Sequence, residues 1–263
     1  MSTSPQRLVD RILSREWFYE FPLPGGQSTR SYLPASVRSI HPCRETMLFA
    51  YLNPRIDEWQ NLTCLDLACH EGYFALKLAL KGCRNVVGMD ARREHLASAD
   101  LIRQMYGLKN LSFVQGDVQQ LQSSPPCVFD VVLMFGILYH VPDLIGALRN
   151  ARAVTGGVCL IETQIAPELP GYTEWGSSEW TRKIHGCLAL VDEADDIAAG
   201  NLEAGVSSMS MVPSLNALLY LLGRVGFEKF TMLDPGPDAH EQHRRGQRVM
   251  LAAYPRLSSA FLQ

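Results

Sequence analysis

Three features of this chain predict an α/β fold with an open, mostly parallel sheet. Short apolar runs alternate with amphipathic stretches between about residues 62 and 163. The first run reaches Asp66 and passes through a loop closing at Gly72 into a helix, and the second ends in another carboxylate, Asp90. Alternation of this kind gives parallel strands joined by right-handed helical crossovers, with helices on both faces. The turns and carboxylates at successive strand ends then share one rim, where open sheets bind their ligands.

Residues 1–58 precede the first core strand and carry Trp17, Phe18, Tyr19, Phe21 and Tyr32. That is too aromatic for a disordered tail. The segment is expected to form a cap, with a helix near 8–15, an irregular stretch, and a helix near 44–53 beside the mouth of the sheet. Strands are expected at 62–67, 85–90, 111–115, 129–134 and 157–163, with a helix at 92–105 for which Asp90 is also placed as N-cap. Residues 164–212 are rich in Gly, Ser, Glu and Ala and contain an expected helix near 178–190. A segment of that length between strand and helix is usually functional when ordered, and reads as a lid-like insertion over substrate. Pro213 near its first turn and Gly226 past its end delimit a helix over 213–225. Residues 227–233 and 248–254 read as two further strands, and 59–263 is expected to form one domain with 164–212 inserted.

With 263 residues, average composition and a net charge of −3, the chain fits one large soluble domain rather than two. The acidic balance argues against a dedicated nucleic-acid binder, without excluding a local basic patch. No apolar run approaches the roughly 18 residues of a membrane span, and the N-terminus lacks a signal-peptide core, so a cytoplasmic location is expected. The seven cysteines form no C-x-x-C pair and read as reduced. Cys69 is the candidate reactive thiol, at a helix start, although Glu71 would raise its pKa. No His/Cys/Asp spacing suggests a metal site.

The loop after Asp66 puts backbone NH groups and a helix N-terminus at the strand edge. Dinucleotide binders want G-x-G-x-x-G there, whereas Ala68 and His70 stand at the expected glycine positions and only Gly72 remains. Glu71 would also repel a pyrophosphate, while a ligand bearing a sulfonium and an ammonium would tolerate it. S-adenosylmethionine is such a ligand. Asp90 lies about 20 residues beyond the loop, the spacing for a carboxylate that accepts ribose hydroxyls. Asp117 is placed to accept from an adenine amino group. The candidate cofactor residues are Asp66, Ala68, His70, Gly72, Asp90, Ala91, Asp117, Val118 and Phe135.

These residues, with Gly116-Asp117 and the run from Phe129-Asp130 to Leu138-Tyr139-His140-Val141-Pro142-Asp143, resemble the class I S-adenosylmethionine-dependent methyltransferases over about Asn61 to Thr163. Within them the Leu138 to Asp143 run resembles the branch of tRNA wobble-uridine carboxymethyl or methoxy enzymes, as do Trp17-Phe18, Leu23-Pro24-Gly25-Gly26, Met211-Val212-Pro213-Ser214 and Gly226-Phe227. The resemblance implies a Rossmann-like sheet with a C-terminal antiparallel pair and S-adenosylmethionine as cofactor. Methyl transfer is an in-line displacement that mostly requires positioning and exclusion of water. Where the acceptor must lose a proton, histidine suits the role of base. His140, with Tyr139 beside it, is therefore the candidate catalytic residue. Trp17, Tyr19, Trp175 and Trp180 are candidate walls of an acceptor pocket, and Arg30, Arg38 and Arg44 candidate partners of an acidic substrate group. The expected activity is methyl transfer to oxygen or nitrogen of a small molecule. A tRNA acceptor ranks second, and a cofactor-binding module without catalysis third.

Overall fold

The computed structural model describes residues 5–123, 127–173 and 180–255. The N-terminal segment forms α1 (Pro5–Leu13), two short strands, β1 (Glu16–Trp17) and β2 (Arg30–Ser31), then α2 (Ala35–Arg38) and α3 (Ile40–Leu52). The alternating region follows as β3 (Thr63–Leu67), α4 (Tyr73–Leu80), β4 (Asn85–Asp90), α5 (Arg93–Tyr106), β5 (Leu111–Gln115), β6 (Phe129–Phe135), α6 (Leu144–Val154) and β7 (Thr155–Gln164). Next come β8 (Leu188–Asp192), α7 (Ala194–Ala198), β9 (Met209–Pro213), α8 (Leu215–Val225), β10 (Phe227–Met232), α9 (Glu241–Arg244) and β11 (Arg248–Pro255).

The main sheet has the order β5-β4-β3-β6-β7-β11-β10. Strands β3 to β7 pair in parallel, and β11 runs antiparallel to both its neighbours. The chain moves outward from β3 to β5 and then returns to place β6 on the other side of β3. That reversal opens a crevice at the carboxyl ends of β3, β4 and β6, the usual ligand position in such sheets. One face of the sheet is covered by α4, α5 and the N-terminal segment, whose Trp17 and Phe21 are buried in the same core as Phe74 and Leu78. The other is covered by α6 and α8 through Leu144, Leu148, Leu218 and Leu222.

One expected helix is replaced. Within 178–190, Leu188–Leu190 belongs to β8, which pairs antiparallel with β9 so that Leu190 faces Met211; the start of the expected helix and Trp175 lie outside the described residues. Leu and Ala favour helix locally, but pairing with a complementary strand overrides so weak a preference. Pro213 ends β9 instead of opening α8, and Ser214 caps that helix, its hydroxyl accepting from Ala217 N. Gly226 follows in the left-handed conformation, φ +103°, that helix ends favour.

Candidate active site

The loop between β3 and α4 keeps a glycine-like backbone without the glycines. Ala68 and His70 have φ of +57° and +54°, a conformation costing about 1–3 kcal/mol for a non-glycine residue. Cross-strand bonds hold it: Cys69 N donates to Met89 O at 2.8 Å and His70 N to Asp90 Oδ2 at 2.8 Å. At Gly72 a Cβ would meet the Phe113 ring at 2.6 Å, so glycine is required by packing. Asp66 is buried and accepts from Ala75 N at 3.0 Å. Burial pushes its carboxyl up to about 7, against the amide hydrogen bond and with help from Asp90. Glu71 also turns inward, accepting from Phe18 N and Tyr19 N, and fastens the N-terminal segment to the loop.

A cavity of about 480 Å³ opens at the rim, within the range of small-molecule sites. Ala68, His70, Asp90, Ala91, Asp117, Val118, Phe135, Tyr139 and His140 all line it; Asp66 and Gly72 do not. Asp90 is nearly buried. Its Oδ1 accepts from Arg92 N at 2.9 Å and faces His95 Nδ1 at 3.2 Å, while its Oδ2 holds His70 N. Three of the roughly four acceptor positions of a carboxylate are thereby used. Burial raises the Asp90 pKa, but His95 and the two amides more than offset it, so the carboxyl lies below its usual range. Asp117 Oδ1 accepts from Gln119 N at 2.9 Å.

His140 stands just beyond β6, in a single turn over Leu138–His140. Its Nδ1 lies 3.0 and 3.2 Å from the two carboxylate oxygens of Glu193, which comes from the insertion. Burial pushes Glu193 up, but the Ser210 hydroxyl, the Gly205 amide and His140 hold its carboxyl below the usual range. A carboxylate fixing Nδ1–H leaves Nε2 of the imidazole as the basic atom. Tyr139 OH accepts from Arg248 Nη1 at 3.0 Å, with the guanidinium 4.7 Å above the phenol ring. Arg248 and Arg44 lie 3.3 and 2.7 Å from the fully buried Glu162. Burial raises the Glu162 carboxyl, but Arg44, His243 and Arg248 bring it down to about 2.

The insertion contributes more of the wall through Val191, Asp192, Glu193, Leu202 and Glu203. Glu203 pairs with His70 Nε2 at 3.0 Å and accepts from Tyr32 OH, and Arg92 Nη2 donates to Ala204 O at 2.8 Å. Burial lowers the His70 pKa, but Glu203 raises it above the ordinary histidine value. No metal spacing is visible in the sequence, yet His70, His95 and Glu203 bring one donor atom each within 4.8 Å of one another. The two imidazoles stack with centroids 3.7 Å apart and planes tilted by 29°.

The remaining sequence candidates separate. Tyr19 and Arg44 line the cavity, with Phe18 beside them. Trp17 is core, Trp180 is 62% exposed, Arg30 is exposed and Arg38 pairs with Glu20. Cys69 is buried, and burial with Asp66 and Asp90 pushes its thiol pKa up. Sequence reading missed Glu193, Glu203, His95, Glu162 and Arg248. The first two lie in a segment without periodicity, and nothing in the spacing of the others points to the rim.

Residues 59–199 match the family described as methyltransferase domain. Curated relatives include tRNA U34 carboxymethyltransferases from Trichodesmium erythraeum, 27% identical over 73% of this chain and 52% of the relative, and from Alteromonas mediterranea, 25% identical over 80% and 59%. The chain thus spans little more than half the length of these proteins. Among solved structures, the N-terminal domain of EvdMO1 with SAH bound aligns at a TM-score of 0.68 and 21% identity, covering 96% of this chain and 95% of that one. The same domain in the presence of SAH and D-fucose gives 0.65 and 20%, with the same coverage. An S-adenosylmethionine-dependent methyltransferase from Mesorhizobium loti gives 0.56 and 20%, over 81% and 99%. These likenesses establish the class I methyltransferase fold.

Proposed function

The chain belongs to the methyltransferase domain family, and from that premise we propose that it uses S-adenosylmethionine to methylate an oxygen of a small hydroxylated molecule. The observation that carries the oxygen reading is the His140–Glu193 pair on the cavity wall. The cavity suits the cofactor. Asp90 retains about one free acceptor position, enough for one ribose hydroxyl rather than two. Gly136, at φ +72°, leaves open a space in which a Cβ would stand 3.2 Å from Tyr139 OH and 3.5 Å from Arg44. Asp117 has a second carboxylate oxygen for an amino group, while Val118 and Phe135 supply apolar walls.

When bound, S-adenosylmethionine supplies an electrophilic methyl group on sulfur. This chain's residues hold the acceptor and manage its proton. His140 Nε2 takes the hydroxyl proton as the oxygen forms its new bond, and Glu193 keeps Nδ1 protonated and stabilises the resulting imidazolium. The insertion walls the site from water, which strengthens both interactions. The solved neighbour crystallised in the presence of D-fucose supports a hydroxylated acceptor.

The test is transfer of labelled methyl from S-adenosylmethionine to a panel of sugars and other polyols by the intact protein and by His140→Ala. Turnover that falls about 10²–10⁴-fold in the variant supports a positioned base; unchanged turnover removes that role. The curated relatives named as tRNA enzymes support a second reading, a tRNA wobble-uridine acceptor. Phosphate-driven binding weakens steeply with salt, so methylation of tRNA that collapses between low and moderate ionic strength would favour it.

A further inference from the structure

Cys43 lies on α3, one residue before Arg44, and is half-buried. Its Sγ is 3.8 Å from Nδ1 of His243 on α9 and accepts from His240 N at 3.4 Å. The other ring nitrogen of His243, Nε2, is 3.2 Å from Oε1 of Glu162, and both side chains are at most 1% exposed. A thiol, an imidazole and a carboxylate therefore stand in succession, from the half-buried Cys43 to the fully buried Glu162, the last two at ion-pair distance. The chemistry of such a series is charge separation: the carboxylate favours imidazolium, and imidazolium favours thiolate.

We propose that Cys43 is a nucleophilic thiol, carried as a thiolate–imidazolium pair with His243 and anchored by Glu162, and that it is a modification site for low-molecular-weight disulfides. The charged and titratable groups around the sulfur agree with this. They are Arg44 on its own helix, and His240 and His243 at the start of α9 and within it. Burial raises the Cys43 pKa, but His243, the His240 amide and Arg44 together bring it below the ordinary thiol value. Burial lowers His243, and its contacts with Cys43 and Glu162 raise it above the ordinary histidine value. In the reaction the Cys43 sulfur attacks one sulfur of the disulfide. A new S–S bond forms as the old one breaks, and the departing thiolate takes the proton held by His243. The protein thiol is oxidised to a mixed disulfide and half of the small disulfide is reduced to thiol, with no other reactant.

The other cysteines supply internal comparisons. Cys64, Cys69, Cys83 and Cys159 are buried, Cys127 is exposed, and Cys187 donates to Pro167 O. The inference is independent of the methyl-transfer reading. Its test is site-resolved labelling of the intact protein, read by peptide mass spectrometry, with iodoacetamide between pH 5.5 and 9 and with oxidised glutathione at pH 7. A free thiol gains about tenfold in alkylation rate per pH unit below its pKa. Cys43 is expected to outpace Cys127 about tenfold at pH 6, to show a flatter profile, and to be the first site glutathionylated. In His243→Asn the Cys43 rate should drop toward that of Cys127 while Cys127 is unchanged. A Cys43 profile that parallels Cys127 in the unaltered protein overturns the proposal without reference to any variant. So does glutathionylation that favours Cys127, or a Cys43 rate indifferent to His243→Asn in a folded variant.

Discussion

The proposed role of His140 leans on a partner that no motif announced. Glu193 is buried and both its oxygens face Nδ1, so Glu193→Gln, which keeps the shape and removes the charge, should lower kcat by about 10–100-fold, below the full value of a general base, with little change in KM. Equal loss in kcat and binding would instead point to a disturbed fold of residues 188–213. The loop residues carry a different prediction. Ala68 sits at φ +57°, so Ala68→Gly relieves about 1 kcal/mol of backbone strain and should raise the midpoint of urea unfolding slightly, with glycine's extra unfolded-state entropy limiting the gain. Asp66 carries a prediction about pH. Its folded pKa of about 7 lies above the unfolded value, so its penalty is absent at acid pH and grows as pH rises through the interval between them. Asp66→Asn removes the penalty while keeping an acceptor for Ala75 N. Its stability relative to the unaltered protein should therefore rise from pH 4 to pH 7 and level off above, by at most about 4 kcal/mol at 1.36 kcal/mol per unit. A pH-independent difference would contradict the assignment.

Among the elements, those in the alternating region were legible and those in the insertion were not. Strands β3, β4 and β6 fall within a residue or so of their expected ranges because each is a largely apolar run bounded by turns and mostly buried, and the edge strand β5 matches its expected range although most of it is exposed. The expected helix near 178–190 failed because Leu188–Asp192 has no strong local signal, and its partner strand lies about twenty residues away. The rim residues divide the same way. Asp90, Asp117 and His140 are readable because they end or closely follow strands, whereas Glu193 and Glu203 reach the cavity only through the fold of residues 188–213. Asp66 and Gly72 belong to the recognised loop, but one caps α4 from beneath and the other faces Phe113. The insertion is fastened by Glu203 to His70 and Tyr32. Glu203→Ala should therefore speed amide hydrogen exchange across residues 193–206, leaving β3 and β6 unaffected, because local opening is governed by such tethers. Unchanged exchange would mean that the β8–β9 pairing, with the Glu193–His140 and Arg92–Ala204 contacts, holds the segment without Glu203.

Across the whole molecule, Glu162 joins α3, α9 and β11 to the centre of the sheet through Arg44, His243 and Arg248. Removing its charge leaves Arg44 buried without a counter-ion. Glu162→Gln should cost about 3–5 kcal/mol, seen as a lower denaturation midpoint at neutral pH. With a folded pKa of about 2, the carboxylate's stabilisation is complete above its unfolded pKa and fades as pH falls from there toward 2, so the deficit of the variant should shrink in acid. No helix among the described residues is long and apolar enough to cross a membrane. The sheet order, with β11 reversed, and the crevice at the ends of β3, β4 and β6 place the cofactor reading on the same rim as the proposed base. That reading is tested most directly by calorimetric titration with S-adenosylhomocysteine and, separately, NAD, using the intact protein and Asp90→Asn. Binding of S-adenosylhomocysteine, no binding of NAD, and an affinity about tenfold or more weaker in Asp90→Asn, the cost of about 1.4 kcal/mol for one charged hydrogen bond, is the predicted result. Absence of S-adenosylhomocysteine binding, preference for NAD, or an affinity indifferent to Asp90 would contradict it.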